Sequence, residues 1–165
     1  MIIEGKVDVG ALPEVLWDFL LDLDRFSACI PGIESVSQVS ADKFTGVIRA
    51  RVGPVSGAFG FEAVILERIP PRALRVRAEG KDTVTGSAVG TDVDLTLEGR
   101  SEAGSRMAYR TDVEISGPLA IIGDMILRAT TSALMAEFAR RLRARIEAEG
   151  TRPGTVSSAR GQPGA

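Results

Sequence analysis

The sequence predicts an α+β fold: a seven-stranded, curved antiparallel sheet around one long C-terminal helix, with two short helices between the first and second strands. Three observations predict it. Side chains alternate with period two in the first nine residues, and again without relief from residue 33 to residue 116. Helical spacing fills the gap between those stretches and returns after Pro118. The 165 residues, 44% apolar and 25% charged, make one soluble globular domain. A chain of that size buries roughly 68–70% of its unfolded surface, enough for one core.

The first strand is read from Ile3, Gly5, Val7 and Val9, which alternate with Glu4, Lys6 and Asp8. Pro13 suits the first turn of a helix. Val15, Leu16, Phe19, Leu20 and Leu23 give that helix an apolar face. Asp22 and Asp24 open a second short helical stretch, which Pro31-Gly32 closes. Strands are then expected over 33–39, 44–52, 57–68, 74–80, 84–97 and 106–116. Asp42, Gly53-Pro54, Pro70-Pro71, Lys81-Asp82 and residues 99–104 break them, so consecutive strands form antiparallel hairpins. From Pro118 a stripe of Leu119, Ile122, Ile126 and Ala129 passes into Met135, Phe138, Leu142 and Ile146. A helix over 118–149 would be about 48 Å long. Residues 1–149 form the domain. Residues 150–165 are Gly, Pro, Ser and Arg with almost nothing apolar, and are expected to be a flexible polar tail.

Parity assigns an inward face. It carries Phe44, Gly46, Ile48, Ala50 and Val52; then Phe59, Phe61, Ala63 and Ile65; then Leu74, Val76, Ala78 and Gly80. Thr91, Val93, Leu95 and Leu97 follow, and Met107, Tyr109, Thr111, Val113 and Ile115 close the set. Many of these are small, and aromatics are only 5% of the chain, so short side chains should leave an apolar cavity under the helix. The alternative is a flatter sheet whose gap the helix fills. The expected ligand-binding residues are Phe44, Ile48, Phe59, Phe61, Val76, Val93, Tyr109 and Val113 of the sheet. Leu119, Ile122, Ile126 and Thr130 of the helical segment complete the set.

Charge and absent residues exclude other functions. A pI near 5.3 argues against nucleic acid, which needs a basic face. There is no histidine, so no histidine base or ligand, and one cysteine, so no internal disulfide. No Walker A, GxGxxG, GxSxG or CxxC motif occurs. No basic leader opens the chain and no apolar run is long enough to span a bilayer, which reads as a cytoplasmic protein. No metal or cofactor is expected.

Other candidates carry mainly structural readings. Asp92 and Asp94 oppose the apolar parity and are expected in solvent near Arg106 or Arg110. Cys29 has apolar neighbours and no base, so it reads as a small buried side chain. Trp17 and Phe26 are core or cover, or guards of a cavity mouth. Tyr109, and more weakly Thr111, either serve the structure or meet a ligand's polar head. Thr130, Thr131 and Ser132 interrupt the helical stripe, where threonine hydroxyls can bond back to the preceding turn. Arg140, Arg141, Arg143 and Arg145 either complement the helix C-terminus or dock anionic lipid or an acidic protein.

The element order, Pro13-Glu14-Val15-Leu16-Trp17, Cys29-Ile30-Pro31-Gly32 and Gly117-Pro118-Leu119-Ala120-Ile121-Ile122-Gly123 resemble the CoxG family, the G-subunit family of carbon monoxide dehydrogenase. The spaced Gly80, Gly86, Ala88 and Gly90 are similar to its strand pattern, and the resemblance covers about residues 1–149. It implies the helix-grip fold of the START-like, Bet v 1-like superfamily, with a hydrophobic ligand between sheet and helix. It further implies association with a molybdenum hydroxylase of the carbon monoxide dehydrogenase type, and a link to the membrane or its quinone pool. The polar tail after Gly150 departs from members with an apolar C-terminal anchor, so contact at the inner face of the cell membrane would be peripheral. The expectation is therefore a non-catalytic carrier of a quinone or lipid. A polyketide-cyclase-like enzyme and a surface-acting assembly factor are the alternatives.

Overall fold

A computed structural model describes residues 1–150. The tail expected over 150–165 lies outside them, apart from Gly150. Strand β1 (Ile2–Val9) precedes helices α1 (Pro13–Leu21) and α2 (Leu23–Ser27). Strands β2 (Ile33–Gln38), β3 (Lys43–Val52), β4 (Val55–Ile69), β5 (Ala73–Lys81), β6 (Ala88–Arg100) and β7 (Gly104–Ser116) follow. A 3-10 helix (Pro118–Ile122) then leads into α3 (Asp124–Gly150). All seven strands form one antiparallel, curved sheet in the order β1-β7-β6-β5-β4-β3-β2, so the first strand closes against the last.

Local chemistry explains the two short helices. Pro13 occupies the first turn of α1, where its missing N–H costs nothing. Asp22 ends α1 by donating its backbone N–H to the Phe19 carbonyl, and its side chain caps α2, accepting from the backbone N–H of Asp24 at 3.1 Å and of Arg25 at 3.2 Å. The Arg25 guanidinium pairs with Asp22 and with Glu149 at 3.0 Å each, and lies over the Phe19 ring. It thereby ties the short helices to the end of α3.

Two apolar clusters hold the sheet to the helices. The first joins Leu16, Trp17, Phe19 and Leu20 of α1 to Leu74, Leu97 and Met107 of the sheet and to Ala139, Leu142 and Ile146 of α3. Phe19, Leu16 and Leu142 are wholly buried there, each stabilising the fold by about 1.5–3 kcal/mol of transfer free energy. The second is smaller: Val52, Phe59, Leu119 and Leu127, at the opposite end of α3.

Three expectations need correction, and a fourth gains detail. The last helix does not run unbroken from Pro118. Gly117 (φ 80°) and Gly123 (φ 105°) lie in the left-handed region and bracket the 3-10 helix, so α3 begins afresh at Asp124. That break resets the helical phase. Leu127, not Ile126, is buried; Ile126 is 42% exposed and Ala129 faces solvent. Val84 is not in a strand. It sits in the β5–β6 loop and is 90% exposed. The carboxyls of Asp92 and Asp94 face outward as expected, and Asp94 lies opposite Arg110 in the register; their ion pairs, however, are with Arg77 (2.9 Å) and Arg75 (2.8 Å) on β5. Arg106 and Arg110 bond instead to Asp8 and Glu4 on β1, because β7 lies between β1 and β6.

Candidate ligand-binding site

The inner face of the sheet changes character along the strands. Its two ends are covered by the clusters just described, the first more completely than the second. Between them Phe44, Phe61, Ala63, Ala78, Val93 and Val113 stay half-buried, so solvent reaches an apolar floor beneath α3. The helix opposite offers Thr130, Thr131 and Met135, also half-buried.

Two glycines help keep this floor low. Gly46 lies opposite Phe61 in the register, and a Cβ there would stand 2.8 Å from Phe61 Cζ. Gly5 lies opposite Tyr109, and a Cβ there would overlap the Tyr109 hydroxyl. Each ring therefore covers a glycine on the neighbouring strand, and the side chains that could have plugged the space under α3 are used along the sheet.

One polar couple stands in the apolar floor. The hydroxyls of Thr91 and Thr111 hydrogen-bond to each other across β6 and β7, and Thr111 is only 6% exposed. Each hydroxyl keeps acceptor capacity beyond that bond. On α3 the Thr131 hydroxyl donates back to the Leu127 carbonyl at 2.9 Å.

The expected site residues divide accordingly. Phe44, Phe61, Val93 and Val113 lie on the floor, with Thr130 half-buried on α3. Phe59 and Leu119 are buried in the second cluster, and Ile48 and Ile122 pack against it. Val76 and Tyr109 pack against the first. Ile126 reaches the exposed β3–β4 turn, where a Cβ on Gly53 would stand 3.6 Å from it. Sequence reasoning misses Thr91 as a site residue, although its parity places it on the inner face beside Val93.

The remaining candidates are structural. Trp17 is buried in the first cluster, and Phe26 makes an edge contact with Phe138 of α3 at 5.5 Å between ring centres. Cys29 is fully buried, its thiol donating to the Arg25 carbonyl; burial pushes its pKa up, which suppresses the thiolate. Arg140 and Arg141 both bond Glu137, so neither is a free cation. Those bonds, Arg140 first, hold the Glu137 carboxyl down at about 2. No group of three or more His, Cys, Asp or Glu placed to hold a metal occurs among the described residues. No helix there is long and apolar enough to cross a membrane. Two open depressions lie along the sheet: one of 660 Å³ around Gly10, Gly99 and Ser105, and one of 940 Å³ lined by Gly46, Phe61 and Gly80 together with Glu62, Glu79 and Glu114.

Comparison with known proteins places this geometry. The family model for the carbon monoxide dehydrogenase G-subunit (CoxG) matches residues 5–147. A conserved protein from Geobacillus kaustophilus superposes with a TM-score of 0.83 at 20% identity, over 89% of this chain and 95% of that one. The ZhuI aromatase/cyclase from Streptomyces sp. R1128 gives 0.68 at 12% identity, over 93% and 97%. A START superfamily protein from Mycobacterium smegmatis gives 0.66 at 12%, over 88% and 97%. At these identities the likeness establishes a shared helix-grip fold. A comparison with curated proteins finds no match.

Proposed function

The chain belongs to the CoxG family of carbon monoxide dehydrogenase G-subunits, and on that premise we propose that it is a non-catalytic binding protein for a hydrophobic small molecule. It would serve as accessory to a molybdenum hydroxylase of the carbon monoxide dehydrogenase type and link that enzyme to the membrane. One observation carries the ligand reading: an apolar, solvent-reachable floor between two apolar clusters. Covering such a floor with an apolar molecule gains about 25 cal/mol per Å² removed from water. The Thr91–Thr111 couple suits a ligand with one hydrogen-bonding group on an apolar body, as in a quinone or an isoprenoid lipid. An acidic enzyme surface would find Arg143 and Arg145 exposed near the sealed end of α3.

Native mass spectrometry after gentle purification tests this reading. A bound lipid-like species, or saturable quenching of Trp17 fluorescence by a quinone, supports it. A uniformly apo protein that ignores quinones overturns it. The fold shared with an aromatase/cyclase supports a second reading, an enzyme that steers a reactive ligand with Tyr109. The position of the Tyr109 hydroxyl over Gly5, against the first cluster, weighs against it. An activity on a polyketide-like substrate that Tyr109→Phe abolishes would establish that reading in place of the carrier.

A further inference from the structure

We propose that the free edge of β2 pairs antiparallel with the same edge of a second copy of this chain, giving a two-fold dimer through one continuous sheet. β2 ends the sheet, and no strand lies on its far side. The register fixes where its backbone groups point. The Val39 N–H donates to the Lys43 carbonyl of β3 at 2.8 Å, and Ser37 lies opposite Thr45. Antiparallel ladders alternate, so Ser35 and Ser37 bond to β3, while Val36 and Gln38 turn N–H and C=O to the open side. Among the described residues none bonds to those outward groups. Such a row of unpaired groups is a template for another strand.

The opposite edge of the sheet selects the occupant. The Met1 carbonyl accepts from the Val113 N–H of β7 at 2.8 Å, so Ile2, Glu4, Lys6 and Asp8 turn their backbone groups away from β7. Arg128 of α3 donates to the Ile2 carbonyl at 3.1 Å, and Glu147 of α3 accepts from the Gly10 N–H at 3.2 Å. Between those two contacts the outward residues Glu4, Lys6 and Asp8 are all charged. A covering helix and charged side chains are how a sheet blocks an edge. β1 therefore cannot receive β2 of another copy, which removes the head-to-tail filament. An edge that is open on one side of the sheet alone pairs with itself and stops at two copies.

The open edge also fits its own image. From Ser35 to Val39 it carries no charge and no proline. With Ser37 on the two-fold axis, Val36 of each copy faces Gln38 of the other, and each facing pair exchanges two backbone hydrogen bonds. Ser35 then faces Val39, whose side chain is 58% exposed in the single chain and gains cover. The flanks do not repel, because Glu34 is paired with Arg49, and Asp42 with Arg68 at 3.0 Å. Pairing over so short a span makes a small interface, so the dimer should form at about 100 μM and above.

The inference stands apart from ligand uptake, and its test reads association alone. Sedimentation velocity of the full-length chain, from about 10 to 500 μM, should show monomer passing into dimer. Ser37 is exposed and would meet its own copy at the axis, so Ser37→Lys or Ser37→Glu alone should weaken the dimer about fivefold. An equimolar mixture of those two variants should associate at least as tightly as the wild type. Val36→Pro removes an outward N–H and no bond to β3, and should weaken the dimer as well. Circular dichroism establishes that each variant is folded. Ser37→Cys in a glutathione buffer should be trapped as a disulfide dimer, and Lys6→Cys on the blocked edge should not. Cys29 is fully buried and takes no part. A wild type still monomeric at the highest concentration, or one that assembles beyond two copies, overturns the proposal. So does a dimer indifferent to Ser37→Lys, a mixture no tighter than either variant alone, or a Ser37→Cys chain that cross-links no faster than Lys6→Cys.

Discussion

The two ends of the sheet are covered by the same two partners, α3 and a short helical segment, yet they are packed differently. Around Phe19 and Leu142 the cover is complete, because α1 and α2 add a layer that Arg25 ties to Glu149. Around Phe59 and Leu127 the cover is one 3-10 turn and the first turn of α3, and Ile121 and Met125 stand in solvent. The stretch between them is covered by neither cluster. Stability therefore belongs to the first end, and access belongs to the second and to the floor between. Low local packing is where loops open most readily, so ligand entry should proceed from the second end.

Truncations measure that asymmetry most directly. Leu142→Ala, at a fully buried position in the first cluster, should cost about 2–5 kcal/mol in urea unfolding. Leu127→Ala should fall at the low end of that range, because the surroundings there are partly open to collapse. Equal losses would break the comparison. A smaller effect is expected from Ala63→Trp on the floor. An indole forced into a packed core costs about 1–3 kcal/mol, so a loss near or below 1 kcal/mol with abolished ligand uptake would mark the space as open. A larger loss would mean that the helix already fills it. Arg25→Met removes one cation from Asp22 and Glu149 and from the Phe19 ring. Because Arg25 is about one-third exposed, roughly 1 kcal/mol or less is expected, detectable as faster amide exchange in α2.

The smallest effect is a pH dependence. The Glu137 carboxyl is held at about 2 by hydrogen bonds from Arg140 and Arg141, against an ordinary value of 4.5. A lowered folded-state value stabilises the fold above the unfolded value and is lost on acidification. The difference in unfolding midpoint between wild type and Glu137→Gln should thus be full above about pH 5 and shrink towards pH 2. A difference that stays constant over that window would mean that the pairing with Arg140 and Arg141 contributes nothing. Carboxylates on the outer face respond in the same direction: Arg106 bonds hold Asp8 below its usual range.

Much of the architecture is legible because burial of one sheet face writes a period of two into the chain. Met107, Tyr109, Thr111, Val113 and Ile115 announce β7 and its inward face, and the structure keeps both. Turn chemistry at Gly53-Pro54 and Pro31-Gly32 places the strand ends within a few residues. The start of the last helix is less legible. Its apolar residues continue in a helical rhythm across Gly123, and rhythm alone does not reveal a positive φ there. The phase of α3 is misread for that reason, and with it the placement of Ile126. Alternation likewise absorbs Val84 into a strand, since nothing local distinguishes an exposed valine from a buried one. The Thr91–Thr111 couple is half visible: parity gives the face, while the pairing needs the register of β6 on β7.

The sequence by itself determined the order of the elements, the face each strand turns inward, and the small side chains on that face, because these follow from local spacing and volume. Only the tertiary structure decided which rings cover Gly5 and Gly46, which arginine meets which carboxylate, and which end of the sheet is the better covered. Those outcomes depend on strand order and helix phase. Both are set by contacts between residues far apart in the chain, where no local pattern records them.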